Sequence, residues 1–144
     1  MVDDLYRRVV LDRYQAPVHR GPLADANATA SAHNPLCGDE ITVRARVEDG
    51  HIAEVAWEAL GCSIVHASAD MMADEVQGRQ PDAIPELVAR VGAMLAGSDE
   101  AADALGEIGV FRSVRRYPAR VKCALLPWKT LAEALAASHS EPRA

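Results

Sequence analysis

Aromatic residues are scarce in this sequence, at 4% with a single Phe, so the core has to be built mainly from aliphatic side chains. No run approaches the roughly 20 apolar residues that a bilayer span needs, and no membrane association is expected. The opening residues, Met1-Val2-Asp3-Asp4, are acidic where a signal or transit peptide would be basic, which makes the cytoplasm the expected compartment. Positive charge is also in short supply. Fifteen Lys plus Arg against 21 Asp plus Glu leave a net charge of −6, which cannot neutralise a phosphate backbone across a broad face, so no nucleic-acid partner is expected. Cysteines number only three, at 37, 62 and 123, with no C-x-x-C pair. An odd count rules out a fully paired disulfide framework and favours a reducing compartment.

What remains is ordinary globular material, 49% apolar and 25% charged over 144 residues, and is expected to form one domain, 1–144, with 138–144 as a frayed, flexible tail. A chain of this length buries roughly 68–70% of its unfolded surface and needs neither disulfide nor metal to be compact. A metal site would therefore carry information about function.

The periodicity predicts an amphipathic helix over 3–15, with Leu5, Tyr6, Val9, Val10 and Tyr14 on the apolar side, Arg7, Arg8 and Arg13 on the other, and Asp3 or Asp4 as cap. From Ala16 to Asp39 the chain is punctuated by Pro17, Gly21, Pro22, Asn34, Pro35 and Gly38, with room for a short strand near 29–33. Residues 40–47 and 52–60 each alternate in polarity around Asp49-Gly50, a hairpin signal, and the second run is expected to place Ala53, Val55, Trp57 and Ala59 inward. Opposed rows of Arg and Glu would support the pairing. After Gly61 the period becomes helical as far as Gly78; further helices are expected over 82–95, 101–105 and 118–137, with a kink or restart at Pro127.

Cys37, Asp39, Cys62 and Cys123 all fall at boundaries between these elements, where they can converge at one end of a sheet. Three thiolates and a carboxylate are ligands zinc takes, and thiolates also hold iron-sulfur clusters. Spacing alone leaves this open beside the plainer reading of free Cys as small buried hydrophobes.

Three segments in order, Asn34-Pro35-Leu36-Cys37-Gly38-Asp39, Leu60-Gly61-Cys62-Ser63-Ile64 with Ala67-Ser68-Ala69-Asp70-Met71-Met72, and Pro118-Ala119-Arg120-Val121-Lys122-Cys123-Ala124-Leu125 with Trp128, resemble the NifU/IscU-like family, and within it the SufU-type branch. The resemblance runs from Leu5-Tyr6 to about Leu135. It implies an α+β fold, a small antiparallel sheet of about three strands packed against helices, in which Cys37, Asp39, Cys62 and Cys123 meet in one metal pocket. The scaffold branch carries His immediately before the third Cys; here Lys122 stands there, as in SufU-type proteins, which also have an extra stretch corresponding to 101–117. That branch implies Zn2+ in the pocket and a sulfurtransferase-like relay. Persulfide sulfur is accepted on Cys37 from a SufS-type cysteine desulfurase and passed to downstream iron-sulfur assembly proteins. The alternative is a scaffold that builds and transfers an iron-sulfur cluster at the same ligands.

The chemistry is coherent: zinc keeps a thiol deprotonated while blunting its nucleophilicity, and a ligand drawn off the metal becomes the attacking thiolate. Cys37, beside Gly38, is the expected mobile ligand, with Cys62 and Cys123 holding the ion. Arg120, three residues before Cys123, is placed to support a thiolate or persulfide, or is simply a solvated helix Arg. His66, four after Cys62, offers a substitute ligand but is expected at the surface. Val65 and Asp70 stand where Ser is common in the family. Met71 and Met72 are expected in the core, and His19, His33, His51 and His139 have no metal-binding spacing.

Overall fold

The computed structural model describes residues 2–34 and 38–140. Helix α1 (Val2–Gln15) is followed by strands β1 (Ala28–Asn34), β2 (Asp39–Glu48) and β3 (His51–Leu60), then by helices α2 (Ser63–Val76), α3 (Ile84–Leu95), α4 (Asp99–Ala104) and α5 (Pro118–Ser140). A 3₁₀ turn, Pro81–Ala83, leads into α3, and a 3₁₀ stretch, Gly106–Val114, separates α4 from α5. The strands form one antiparallel sheet in the order β1-β2-β3, the α+β arrangement expected.

The sheet follows from the alternation in β2. Ile41, Val43 and Ala45 are buried on one face while Thr42, Arg44 and Arg46 lie on the other. Asp49 and Gly50 both take positive φ, 53° and 78°, as a two-residue hairpin turn matched to the right-handed strand twist requires. The Arg and Glu rows do oppose each other, with Arg44 2.6 Å from Glu58 and Arg46 3.3 Å from Glu54; at the surface such pairs contribute at most about 1 kcal/mol each. The expected inward face of β3 fails at one end. Arg46 pairs with Glu54 but Val47 pairs with Ile52, leaving Ala53 as an extra bulge residue that reverses the alternation. Ile52 is therefore buried and Ala53 exposed.

Helices α2 and α5 pack on the buried face of the sheet, and α1, α3 and the 3₁₀ stretch pack around them. Enclosed in this way, α2 is buried continuously from Ile64 to Ala73, with Met71 and Met72 in the core. Helix α1 docks by a face rotated from the expected one: Tyr6, Val9, Val10 and Arg13 turn inward, while Leu5 and Tyr14 are each 47% exposed. It begins at Val2, so neither Asp3 nor Asp4 precedes it as a cap. Helix α5 continues through Pro127 with no restart and ends at Ser140, beyond the expected Ala137. Tertiary packing on both sides, with Ala124, Trp128 and Leu131 all buried, holds the helix where its own hydrogen bonding is interrupted. Among the described residues no helix is long and apolar enough to cross a membrane.

Arg13 turns inward because Asp70 waits for it. Asp70 on α2 is fully buried and accepts from Arg13 Nη1 at 2.9 Å, Trp57 Nε1 at 3.1 Å, and the amides of Val18 and His19. Burial pushes its carboxyl up, but the His19 amide, Arg13, the Val18 amide and the Trp57 indole outweigh that and hold it below the usual carboxylate range. The group thus joins α1, the following segment, β3 and α2. Asp70→Ala should cost about 3–5 kcal/mol, since it strands a charge and several buried donors. A lowered folded-state pKa means that the contribution is present above the unfolded value near 3.9 and is lost as pH falls below it. The difference between wild type and variant in denaturant midpoint should therefore be full at pH 7 and shrink below about pH 4.

Candidate metal centre

Three of the four expected ligands arrive from three different elements. Asp39 is the first residue of β2 and only 1% exposed. Cys62 occupies the N-cap position of α2, where unpaired amides and the helix dipole favour a negative ligand atom. Cys123, 3% exposed, lies in the second turn of α5. Their ligand atoms all fall within 4.8 Å of one another. Cys37 is outside the described residues.

The carboxylate organises the group. Asp39 Oδ1 accepts the Cys62 amide at 3.1 Å, and Oδ2 accepts the Cys123 thiol at 2.9 Å. Burial pushes the Cys123 thiol up, and its bond to Asp39 and the neighbouring Cys62 add to this, so the sulfur keeps its proton and donates it to the carboxylate. Gly61 makes the close approach feasible. At φ +137° it lies against Asp39 so tightly that a Cβ there would meet Oδ1 at 2.1 Å. On the far side, Ser68 Oγ donates to the Ala124 carbonyl at 2.6 Å, fixing α2 against α5 next to Cys123.

Two thiols and a carboxylate suit zinc. Zn–S near 2.3 Å and Zn–O near 2.0–2.2 Å put tetrahedral neighbours roughly 3.5–3.8 Å apart, so separations of up to 4.8 Å would close by about an ångström at most while the 2.9 Å contact between Cys123 and Asp39 would open as the thiol proton leaves. The donors open onto a cleft of about 650 Å³ lined in part by Tyr6, Arg7, Leu11 and Arg120. Burial raises the pKa of Tyr6, and Cys62 and Cys123 act in the same direction against Arg120.

The NifU-like N-terminal domain, as a family model, matches residues 5–124. The chain belongs to that family. Among relatives of this NifU-like domain, the iron-sulfur cluster assembly scaffold protein IscU of Thermotoga maritima is 37% identical over 131 residues, 91% of this chain and 92% of its own. The zinc-dependent sulfurtransferase SufU of Bacillus subtilis is 34% identical over 137 residues, 94% of this chain and 92% of its own. A crystal structure of a putative iron-sulfur cluster assembly scaffold protein for the SUF system, from Fervidobacterium islandicum AW-1, superposes with a TM-score of 0.84 at 32% identity, covering 92% of this chain and 97% of the other.

The other residues singled out in the sequence of this NifU-like domain are placed differently. Arg120 is exposed at the lip of the cleft and stacks on Tyr117, 4.7 Å from the ring centroid. His66 is not at the surface. It is 6% exposed, with Nδ1 2.9 Å from the Cys62 carbonyl and its ring edge-on to Tyr14 and Trp57. A carbonyl only accepts, so Nδ1 carries the proton, and the imidazole braces the turn behind Cys62 instead of facing the ligand atoms. His19 pairs with Asp74 at 2.6 Å. Gly61 and Arg7 were missed as site residues. The signal for Gly61 was present in Leu60-Gly61-Cys62, a glycine ending an alternating strand immediately before a ligand.

Proposed function

We propose that this protein is a zinc-dependent sulfur acceptor in iron-sulfur cluster assembly, taking persulfide sulfur from a SufS-type cysteine desulfurase. The observation that carries this reading is the donor set itself: Asp39, Cys62 and Cys123 converge, and no imidazole joins them among the described residues. Where the scaffold branch has His, Lys122 is exposed at the surface, and His66 is committed to a backbone carbonyl. The naming of a zinc-dependent sulfurtransferase among the full-length relatives supports the same reading.

Asp39, Cys62 and Cys123 would hold the metal, with Cys37 as the fourth ligand two residues before Asp39. Bound zinc would keep these thiols deprotonated at neutral pH. Cys62 and Cys123, on regular elements, stay in place. Cys37 supplies the reacting sulfur. Its thiolate attacks the terminal sulfur of the donor persulfide, the bond between the donor's two sulfurs breaks, and the donor leaves as thiolate while Cys37 carries the persulfide. No oxidant or reductant is consumed. Arg120 and Arg7 at the cleft lip offer positive charge to the incoming anionic sulfur.

The relatives named as IscU scaffolds favour a second reading, in which the same residues build and hand on an iron-sulfur cluster. Asp39 variants separate the two. In the sulfur-acceptor reading, Asp39→Ala weakens zinc retention and desulfurase stimulation together, about tenfold or more for the metal, as expected when one of four ligands is lost. A variant that instead traps a stable coloured cluster after iron and sulfide loading supports the scaffold. Asp39→Asn, which keeps the shape but not the charge, behaving as wild type in zinc content, stimulation and colour would remove Asp39 as an anionic ligand.

A further inference from the structure

We propose that Arg7, Arg116 and Arg120 form a binding site for a small, doubly charged oxyanion of the phosphate class, next to the metal centre but distinct from it. A hollow of about 130 Å³ lies between α1, the end of the 3₁₀ stretch and the first turn of α5, lined by Tyr6, Arg7, Ser113, Arg116, Tyr117 and Arg120. Its polar lining offers three guanidinium groups and three hydroxyls and no carboxylate.

What distinguishes this cluster is that three arginines without an ion-pair partner share one hollow; among the described residues Arg8 and Arg20 also lack one but line no part of it. Arg13, Arg44, Arg46, Arg79, Arg90, Arg112 and Arg115 each meet a carboxylate. Among the described residues, Arg7, Arg116 and Arg120 meet none, although the chain has six more acidic than basic residues. Three like charges around one hollow repel one another, and a counter-anion removes that cost. Ser113 Oγ is buried there with no hydrogen-bond partner, a donor left free in the wall of the hollow. The Tyr6 hydroxyl, protonated at neutral pH as an ordinary phenol is, lines the same hollow and is a further donor.

Size and geometry select the anion. At roughly 30 Å³ per water, the hollow has room for about four waters, enough for a tetrahedral oxyanion. Guanidinium forks match phosphate oxygens in pairs, and each charge-assisted hydrogen bond is worth more than a neutral one. Tyr6, Arg7 and Arg120 line both this hollow and the metal cleft. An anion held here would draw the two arginines away from the cleft, linking anion level to the charge presented at its mouth.

The test is calorimetric titration of the full chain with inorganic phosphate at low ionic strength, with acetate at matched ionic strength as the carboxylate arm. Saturable 1:1 binding is expected for phosphate and at least tenfold weaker binding for acetate. Arg116→Gln should weaken phosphate at least tenfold, and Ser113→Ala by a smaller factor, both with metal content as in wild type because neither residue lines the metal cleft, and with the thermal midpoint of Arg116→Gln in phosphate-free buffer no lower than that of wild type. Lack of saturable phosphate binding, or undiminished binding in Arg116→Gln, overturns the site; acetate binding as tightly as phosphate overturns the dianionic assignment.

Discussion

Gly61→Ala should strip the protein of metal and lower its stability by about 2 kcal/mol more than Gly97→Ala does. Both glycines have strongly positive φ, 137° and 127°, so both variants incur the backbone strain that L side chains meet there, of order 1–3 kcal/mol. They differ in what the new methyl group touches. At Gly97 it meets open space, whereas at Gly61 it sits 2.1 Å from Asp39 Oδ1, and no rotamer of a methyl group relieves that. Asp39 must shift, and with it the acceptor for both the Cys62 amide and the Cys123 thiol. Metal analysis after chelator challenge, alongside denaturant midpoints for the matched pair, measures the effect. Equal losses in the two variants would show that the seat of Asp39 contributes nothing beyond strain.

The second large effect is expected at Cys37. In the sulfur-acceptor reading, Cys37→Ala should return desulfurase turnover to its unstimulated rate while leaving the partner bound, because only the attacking sulfur is removed. Cys62→Ser and Cys123→Ser should fail differently, losing metal and folding stability together. Metal present at about a hundred times its dissociation constant contributes about 2.7 kcal/mol to a folded state that alone binds it. Sulfide or alanine production from cysteine, measured beside a pull-down of the partner and a thermal melt, distinguishes the two kinds of failure. Strong stimulation by Cys37→Ala would remove Cys37 as the acceptor.

The legible parts of this fold were those in which local pattern and tertiary packing agree. Alternation in β2, the Asp49-Gly50 turn and the helical period after Gly61 each have one solution. Errors arose where a distant partner decided. Arg13 reads as solvent-facing until Asp70, 57 residues away, is known to be buried opposite it, and that contact rotates α1 enough to expose Leu5 and Tyr14. A bulge at Ala53 cannot be read from a strand whose alternation is otherwise regular. His66 looked peripheral because its sequence neighbours say nothing of the Tyr14 and Trp57 rings that enclose it. Residue type, boundary position and resemblance single out four candidate ligands, of which Asp39, Cys62 and Cys123 lie close together in the fold and Cys37 lies outside the described residues. The seat that Gly61 makes for Asp39 required coordinates, since it depends on an approach of ångströms between the ends of two strands.

The contacts within the ligand trio span 23 residues from Asp39 to Cys62 and 84 from Asp39 to Cys123. Closing loops of that length costs chain entropy that nearby contacts do not recover, so such contacts form late in folding. Before α5 has docked, Cys123 is remote from Asp39 and Cys62, and each donor alone is a weak ligand. In the metal-binding reading proposed above, the geometry therefore works as a maturity check, in which capacity for metal becomes available only once sheet and helices have already assembled.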